Sequence, residues 1–119
     1  MPTAAATVHR NEVLLVGRLS AAPEVRVLPS GDEITQWRLV VGRDRAEEGR
    51  PQQDTLDCTA WSARTQKAAA GWAANDVIEV EGALRRRFWK TPTALASRCE
   101  IEVTRARRVG RAATRPRTT

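Results

Sequence analysis

The stretch of sequence richest in potential binding chemistry combines positive charges with aromatic rings. Residues 84–90 carry three arginines, a lysine, a phenylalanine and a tryptophan. Cations that follow the phosphates and flat rings that stack on the bases bind an unpaired nucleic-acid strand, each stack contributing about 1–3 kcal/mol. In an extended strand, alternate side chains share a face. The segment therefore presents two sets of side chains: Arg85, Arg87 and Trp89 on one face, and Arg86, Phe88 and Lys90 on the other.

The other rings divide into stacking candidates and packing candidates. We predict that Trp89 is exposed and stacks on a base, because alternation sends one of two neighbouring rings outward; for Phe88, burial and exposure stay open. Trp61 falls on the polar face of its strand, which is unusual for a tryptophan unless something stacks on it. Trp37 and Trp72 are expected to pack in the core.

Further arginines are candidates for extending a phosphate-binding groove. Arg64 follows Trp61 closely, and three others occur on or beside predicted strands: Arg18, Arg38 and Arg43. For each of them a solvated surface charge is the alternative interpretation.

The charge is concentrated towards the end of the chain. Residues 1–84 carry 9 basic and 12 acidic side chains, whereas residues 85–119 carry 11 basic side chains against Glu100 and Glu102. A cationic third of a small domain favours a polyanionic partner, because neutralising phosphates releases condensed counterions. A solvated basic tail without a partner is the alternative.

No arrangement of residues for catalysis is found, and we expect that the protein is not an enzyme. His9 is the single histidine and lies in a start that we predict to be disordered, so neither a Ser-His-Asp nor a Cys-His site can form around it. No glycine-rich phosphate loop occurs, and Glu79 and Glu81 fit a solvated strand face. No cofactor or metal is therefore expected.

The hydropathy pattern and the start of the sequence make a cytoplasmic protein the default expectation. Cys58 and Cys99 are 41 residues apart, lack metal-ligand spacing and fall on apolar strand faces, so both are predicted to be buried thiols. A disulfide between them stays open. No run approaches the ~20 apolar residues of a membrane span, and no secretory signal is recognised.

The alternation of apolar and polar residues predicts an all-β fold. Strands are expected at 12–19, 34–41, 55–61, 77–90 and 96–107, a shorter half-exposed strand at 24–28, and a helix at 62–72 that Ser62 caps and Asn75-Asp76 ends. This order matches a five-stranded oligonucleotide-binding barrel (OB-fold) with one short helix between strands 3 and 4. Gly82 would let its strand bend. The predicted domains are a disordered start (1–9), the barrel (10–109) and a basic disordered tail (110–119).

Several of these segments resemble the bacterial single-stranded DNA-binding proteins. The resemblance covers residues 10–109 and rests on three motifs in the family's order: Asn11–Leu19 followed by Pro23-Glu24-Val25-Arg26, the turn Pro29-Ser30-Gly31, and Val80-Glu81-Gly82-Ala83-Leu84-Arg85. It implies an OB barrel that assembles as a homotetramer or dimer and binds single-stranded DNA without sequence preference in replication, repair or recombination. By position, Trp61 and Trp89 match stacking aromatics, with Arg85 and Arg87 as basic neighbours.

The chain departs from that family pattern in three respects. Two further stacking tryptophans of well-known members are replaced near Arg45 and Thr55, the connection at 91–95 is short, and a basic tail stands where the family has an acidic tip. The resemblance therefore implies a reduced member without tail-mediated recruitment of replication proteins. The alternative is an accessory interaction protein of a replication-restart or recombination assembly, with weak DNA or RNA binding. The preference for DNA over RNA stays open.

Overall fold

Six β-strands and one short helix make up the part of the protein that the structure describes. The structure is a computed structural model that describes residues 8–43 and 52–112. The elements are β1 (Val13–Leu19), β2 (Glu24–Val27), β3 (Glu33–Gly42), β4 (Gln53–Ala60), α1 (Ala63–Ala69), β5 (Val77–Lys90) and β6 (Leu95–Gly110). Most of the predicted start and of the predicted tail, at residues 1–7 and 113–119, lies outside the described residues. No helix of the described part is long and apolar enough to cross a membrane.

The strands form one mixed sheet in the order β1-β5-β6-β4-β3-β2. All neighbouring pairs are antiparallel except β4 and β6, which run parallel. The end of β1 also pairs with β3, where Arg18 lies opposite Val40 and Leu19 opposite Leu39. Five strands therefore follow one another in a closed circuit of hydrogen-bonded pairs, and β2 extends the circuit from the edge of β3.

The predicted count of five strands is wrong, and the helix follows the fourth strand instead of the third. The extra strand is β2, which pairs only with β3, from Glu24 opposite Gln36 to Val27 opposite Glu33. Pro23 separates it from β1, because proline has no N–H to continue a ladder. The short strand expected at 24–28 thus forms a hairpin with β3 through a turn that contains Pro29-Ser30-Gly31.

Helix α1 starts as predicted and ends early. The Ser62 side chain accepts a hydrogen bond from the Thr65 N–H at 3.2 Å, which confirms the N-cap. The helix ends at Ala69, so the predicted end at Asn75-Asp76 is wrong. The Trp72 N–H already bonds to the Ala69 carbonyl at 3.1 Å, and this tighter turn stops the α-helical pattern.

The core fills the inside of the circuit. Its buried aliphatic side chains come from four strands: Leu19, Leu39, Ile78, Val80, Ile101 and Val103. Trp37 and Trp72 pack there edge to face, with ring centroids 5.3 Å apart, which confirms their predicted packing role. At Gly82 the backbone contacts the Glu102 carbonyl so closely that any Cβ would collide with it, and the β5–β6 register shifts beside this position.

Only one cysteine is buried as predicted. Cys58 lies in the core, where burial, reinforced by the charge of Asp57, raises the pKa of its thiol to about 12. The prediction for Cys99 is wrong: this residue is exposed, because its part of β6 extends beyond the core. Both thiols are free.

A buried carboxylate joins the end of β6 to the turn before β5. Asp76 is 3% exposed and accepts hydrogen bonds from the backbone N–H groups of Ala73 at 2.9 Å and Ala112 at 2.8 Å, and from Arg108 at 3.3 Å. These donors, the Ala73 N–H foremost, hold the pKa of the Asp76 carboxyl below its ordinary value despite burial.

We expect Asp76 to make the fold sensitive to acid. Because its pKa is lower in the folded than in the unfolded chain, its stabilisation is complete above the ordinary Asp pKa and is lost as the pH falls through the folded value. Asp76→Asn should lower the urea midpoint at pH 7 and flatten its decline between neutral and acidic pH. Asp32→Asn, in an exposed turn, is the control. Parallel pH profiles for wild type and Asp76→Asn would contradict this account.

A second prediction about stability follows from the packing of Trp37 against Trp72. Trp37→Ala should lower the free energy of unfolding by about 3–5 kcal/mol, because it leaves a cavity in the closed part of the sheet. Urea denaturation followed by far-UV circular dichroism measures the change. A loss below 1 kcal/mol would show that the ring is not packed as described.

Candidate nucleic-acid interface

The last part of β5 and the first part of β6 form a two-stranded hairpin that extends beyond the core. Its ladder runs from Arg85 opposite Glu100 to Lys90 opposite Leu95. Thr91 closes the turn, since its N–H donates to the Ala94 carbonyl at 2.8 Å and its Oγ1 accepts from the Ala94 N–H at 2.9 Å. We call residues 85–100 the hairpin arm.

Both rings of the arm are exposed. Trp89 is 45% exposed, as predicted, and Phe88 is 61% exposed on the opposite face. The sequence left burial or exposure open for Phe88, and the ring is exposed because the arm has no core beneath it. Alternation determines which side chains share a face, but both faces of the arm meet solvent.

Trp61 and Trp89 line two adjoining hollows on one side of the sheet. Trp61 follows β4, is 40% exposed and borders a hollow of about 280 Å³. Trp89 borders a neighbouring hollow of about 210 Å³. Arg87 lies between the two rings and lines both hollows, and its guanidinium carbon is 5.4 Å from the centroid of the Trp61 ring, at cation–π distance.

A third hollow, of about 430 Å³, continues the same surface along β3 and β4. Arg38 lies there and forms an ion pair with Asp57 at 3.4 Å; Arg98, from β6, reaches the same carboxylate at 3.6 Å. Arg26 borders this hollow and the one beside Trp61. We call the three hollows together the front groove.

The centre of the front groove is Glu100, which with Gln36 lines all three hollows. The Glu100 side chain is nearly buried; one carboxylate oxygen accepts a hydrogen bond from the Thr59 hydroxyl at 2.9 Å and the other from the Arg87 Nε–H. The sequence alone did not indicate that Glu100 lies at the centre of the groove. The available signal was that it is one of two acidic residues among the eleven basic side chains of residues 85–119.

Arg86, Phe88 and Lys90 lie on the other face of the arm, which we call the back face. Arg86 lies 5.7 Å from the centroid of the Phe88 ring and donates to the Ser97 hydroxyl at 2.8 Å. Within residues 8–43 and 52–112, neither Arg86 nor Lys90 forms an ion pair with a carboxylate. The predicted cluster of residues 85–90 is therefore divided between two surfaces.

Four predicted arginines do not line the front groove. Arg18 donates to Asn75 and Gln53, and Arg85 forms an ion pair with Glu102 at 3.5 Å. Arg64 is exposed on α1. At the far end of β3, Arg43 contacts Asp54 at 2.7 Å and holds the pKa of that carboxyl below its ordinary value, chiefly through the hydrogen bond.

Sequence relatives of this chain carry a consistent description. A protein 31% identical over 81 residues is the single-stranded DNA-binding protein A of Bacillus subtilis (strain 168), matched over 67% of this chain and 47% of that protein. The single-stranded DNA-binding protein of Halalkalibacterium halodurans is 30% identical over 80 residues, or 66% of this chain and 48% of that protein. The chain thus matches about half the length of these curated relatives.

The fold and a family model agree with these relatives. A solved Plasmodium falciparum SSB complex with ssDNA superposes with a TM-score of 0.71 at 18% identity, covering 86% of this chain and 95% of that one, and so shows the same fold. Residues 10–109 match the model of the single-strand binding protein family, over the same range that the sequence motifs indicated. Because this match spans most of the chain, the protein belongs to the single-strand binding protein family.

Proposed function

We propose that the protein binds single-stranded DNA without sequence preference, with the front groove as its main contact surface. The observation that carries this proposal is the placement of two exposed rings, Trp61 and Trp89, on either side of Arg87 in adjoining hollows. Membership of the family supports the same ligand. The activity is binding and needs no catalytic step.

The geometry of the front groove fits a strand of stacked bases. Bases stack on Trp61 and Trp89 through their flat faces, which every base possesses, so affinity does not depend on sequence. Arg98 and Arg38 continue the surface beyond Trp89, and Arg26 borders it near Trp61. Paired bases offer no free face, and duplex DNA is therefore a poor ligand for this surface.

The closed circuit of strands corresponds, in this proposal, to an OB barrel with β2 as an added edge strand. Residues 10–109 form the binding domain, and the basic residues at 110–119 add unspecific attraction to phosphates. The back-face residues Arg86, Phe88 and Lys90 make additional contacts as the strand passes the arm. The biological setting is DNA replication, repair or recombination, at the nucleoid in the cytoplasm.

Among residues 8–43 and 52–112, most of one edge of β1 has no partner strand, and this free edge supports self-association as a homotetramer or dimer. β1 pairs with β5 along one edge, whereas β3 covers its other edge only at Arg18 and Leu19. Leu14 and Val16 are 65% and 49% exposed on this strand. An uncovered edge with exposed apolar side chains is a template for pairing with a second copy.

The function is tested by titrating a labelled oligothymidine, a matched duplex and a matched oligouridine. We expect much tighter binding of oligothymidine than of duplex.

Trp89→Ala should weaken the binding of oligothymidine by roughly 1–3 kcal/mol, the value of one lost stack. Its melting temperature should barely change, because the ring is exposed. Val25→Ala, an exposed apolar residue outside the groove lining, is the control.

Two results would contradict the proposed stacking mechanism. Equal affinity for oligothymidine and duplex would show that free base faces are not recognised. Wild-type binding by Trp89→Ala together with a large drop in melting temperature would show that the ring serves packing. Weak binding of all three ligands would favour the accessory interaction protein.

Self-association is tested by sedimentation velocity. Leu14→Lys/Val16→Lys introduces charges beside the free edge of β1 and should shift the protein to smaller species, without loss of the circular dichroism spectrum of the fold. Lys67→Ala, on α1, should leave the oligomer unchanged. An unaltered oligomer in the double variant would exclude this edge as the interface.

A further inference from the structure

Arg87 has two partners that hold it in place from different directions. Its guanidinium lies over the Trp61 ring, with Cζ 5.4 Å from the ring centroid, while its Nε–H donates to Glu100. The Arg87 side chain is 43% exposed, so solvent and a bound strand can both reach it. The sequence pattern alone suggested that such an arginine binds phosphate.

The carboxylate that holds Arg87 is nearly buried. The Glu100 side chain is only 7% exposed, and its second oxygen is held by the Thr59 hydroxyl at 2.9 Å. If Arg87 moved to a phosphate, Glu100 would remain as a buried charge with its cation gone. Leaving a buried charge unpaired costs more than an exposed ionic contact returns. Arg87 is therefore expected to stay on Glu100 when a strand binds.

We propose that Glu100 is a positioning residue that keeps Arg87 on Trp61 as a flat stacking surface and withholds its charge from phosphates. This inference rests on the proposed single-strand binding. A planar guanidinium can stack on bases as well as on tryptophan. The centre of the front groove thus recognises base faces, and phosphate attraction comes from cations without a carboxylate partner.

The partners of three other arginines agree with this division between base stacking and phosphate attraction. In the front groove, Arg38 and Arg98 share Asp57 as their partner. On the back face, Arg86 donates to a hydroxyl and to the weak acceptor Cys99, with no carboxylate partner among the described residues. The salt dependence of binding should therefore be smaller than the number of arginines in the front groove implies.

The test is the slope of log affinity against log salt for oligothymidine, which changes by about 0.7 for each cation that meets a phosphate. Glu100→Gln frees Arg87 while keeping the side-chain shape, so its slope should be steeper than wild type by about 0.7. Arg87→Gln/Glu100→Gln removes the pair without leaving a buried charge. Its slope should equal that of wild type, while its affinity falls about fivefold through the weakened stack.

The matched control is Glu33→Gln, the same change at an exposed residue of β3 that has no ion-pair partner among the described residues. Its slope should stay at the wild-type value, which separates the release of Arg87 from a change in net charge. All variants are first compared by thermal melting. If Glu100→Gln has a lower melting temperature, its binding is measured at a temperature where it is folded.

Two results would overturn the inference while leaving the proposed function intact. A slope shallower by about 0.7 in Arg87→Gln/Glu100→Gln would show that Arg87 binds phosphate in the wild-type protein. An unchanged slope in Glu100→Gln would show that the carboxylate serves only stability. Failure of the wild-type protein to bind oligothymidine would instead overturn the proposed function, and this inference with it.

Discussion

The long ladder between β5 and β6 is the constraint on which both the core and the groove depend. In its first half, Ile78 and Val80 point into the circuit and pack with the β6 residue Val103. In its second half, the same ladder continues beyond the core, where every residue of β5 from Arg85 to Lys90 is exposed. Because the two strands stay paired on both sides of the register shift at Gly82, the packing of the core sets the orientation of the arm.

This continuity explains why exposed rings are tolerated on the arm. Moving a ring out of a core normally exposes apolar surface to water and costs stability. Phe88 and Trp89 lie beyond the core, so their exposure involves no such loss. Their strand is held by backbone pairing with residues 95–97 and by the turn that Thr91 closes. The stability of the fold and the exposure of the rings are thus largely independent. Rings at the arm can change with little effect on packing, whereas Trp37 cannot.

Local patterning predicted much of the fold from the sequence. Alternation located the strands to within about two residues in most cases, Ser62 identified the start of α1, and the apolar neighbours of Trp37 placed it in the core. These features depend on residues that are close in sequence. The strand count failed at β2 because the five-stranded pattern to which the order was matched did not include the short strand that alternation indicated at 24–28.

The site was harder to predict because its assembly is long-range. Alternation places Cys99 with Ile101, yet only the structure shows that the core ends between them. The role of Glu100 depends on the parallel pairing of β4 with β6, which brings Thr59 next to a residue 41 positions away. The periodicity along one strand does not indicate which strand pairs with it. The individual binding residues were therefore predictable as residue types, but their division between two faces was not.

The ion pair between Arg87 and Glu100 also helps to explain how a small groove can bind DNA without recognising its sequence. A flexible arginine loses side-chain freedom when a ligand fixes it, and this loss reduces the affinity that is observed. Glu100 and Trp61 already fix Arg87 in the free protein, so that loss is incurred during folding. Stacking uses the faces of the bases and not the hydrogen-bonding edges by which bases differ, so a surface assembled in this way offers every base the same flat contact.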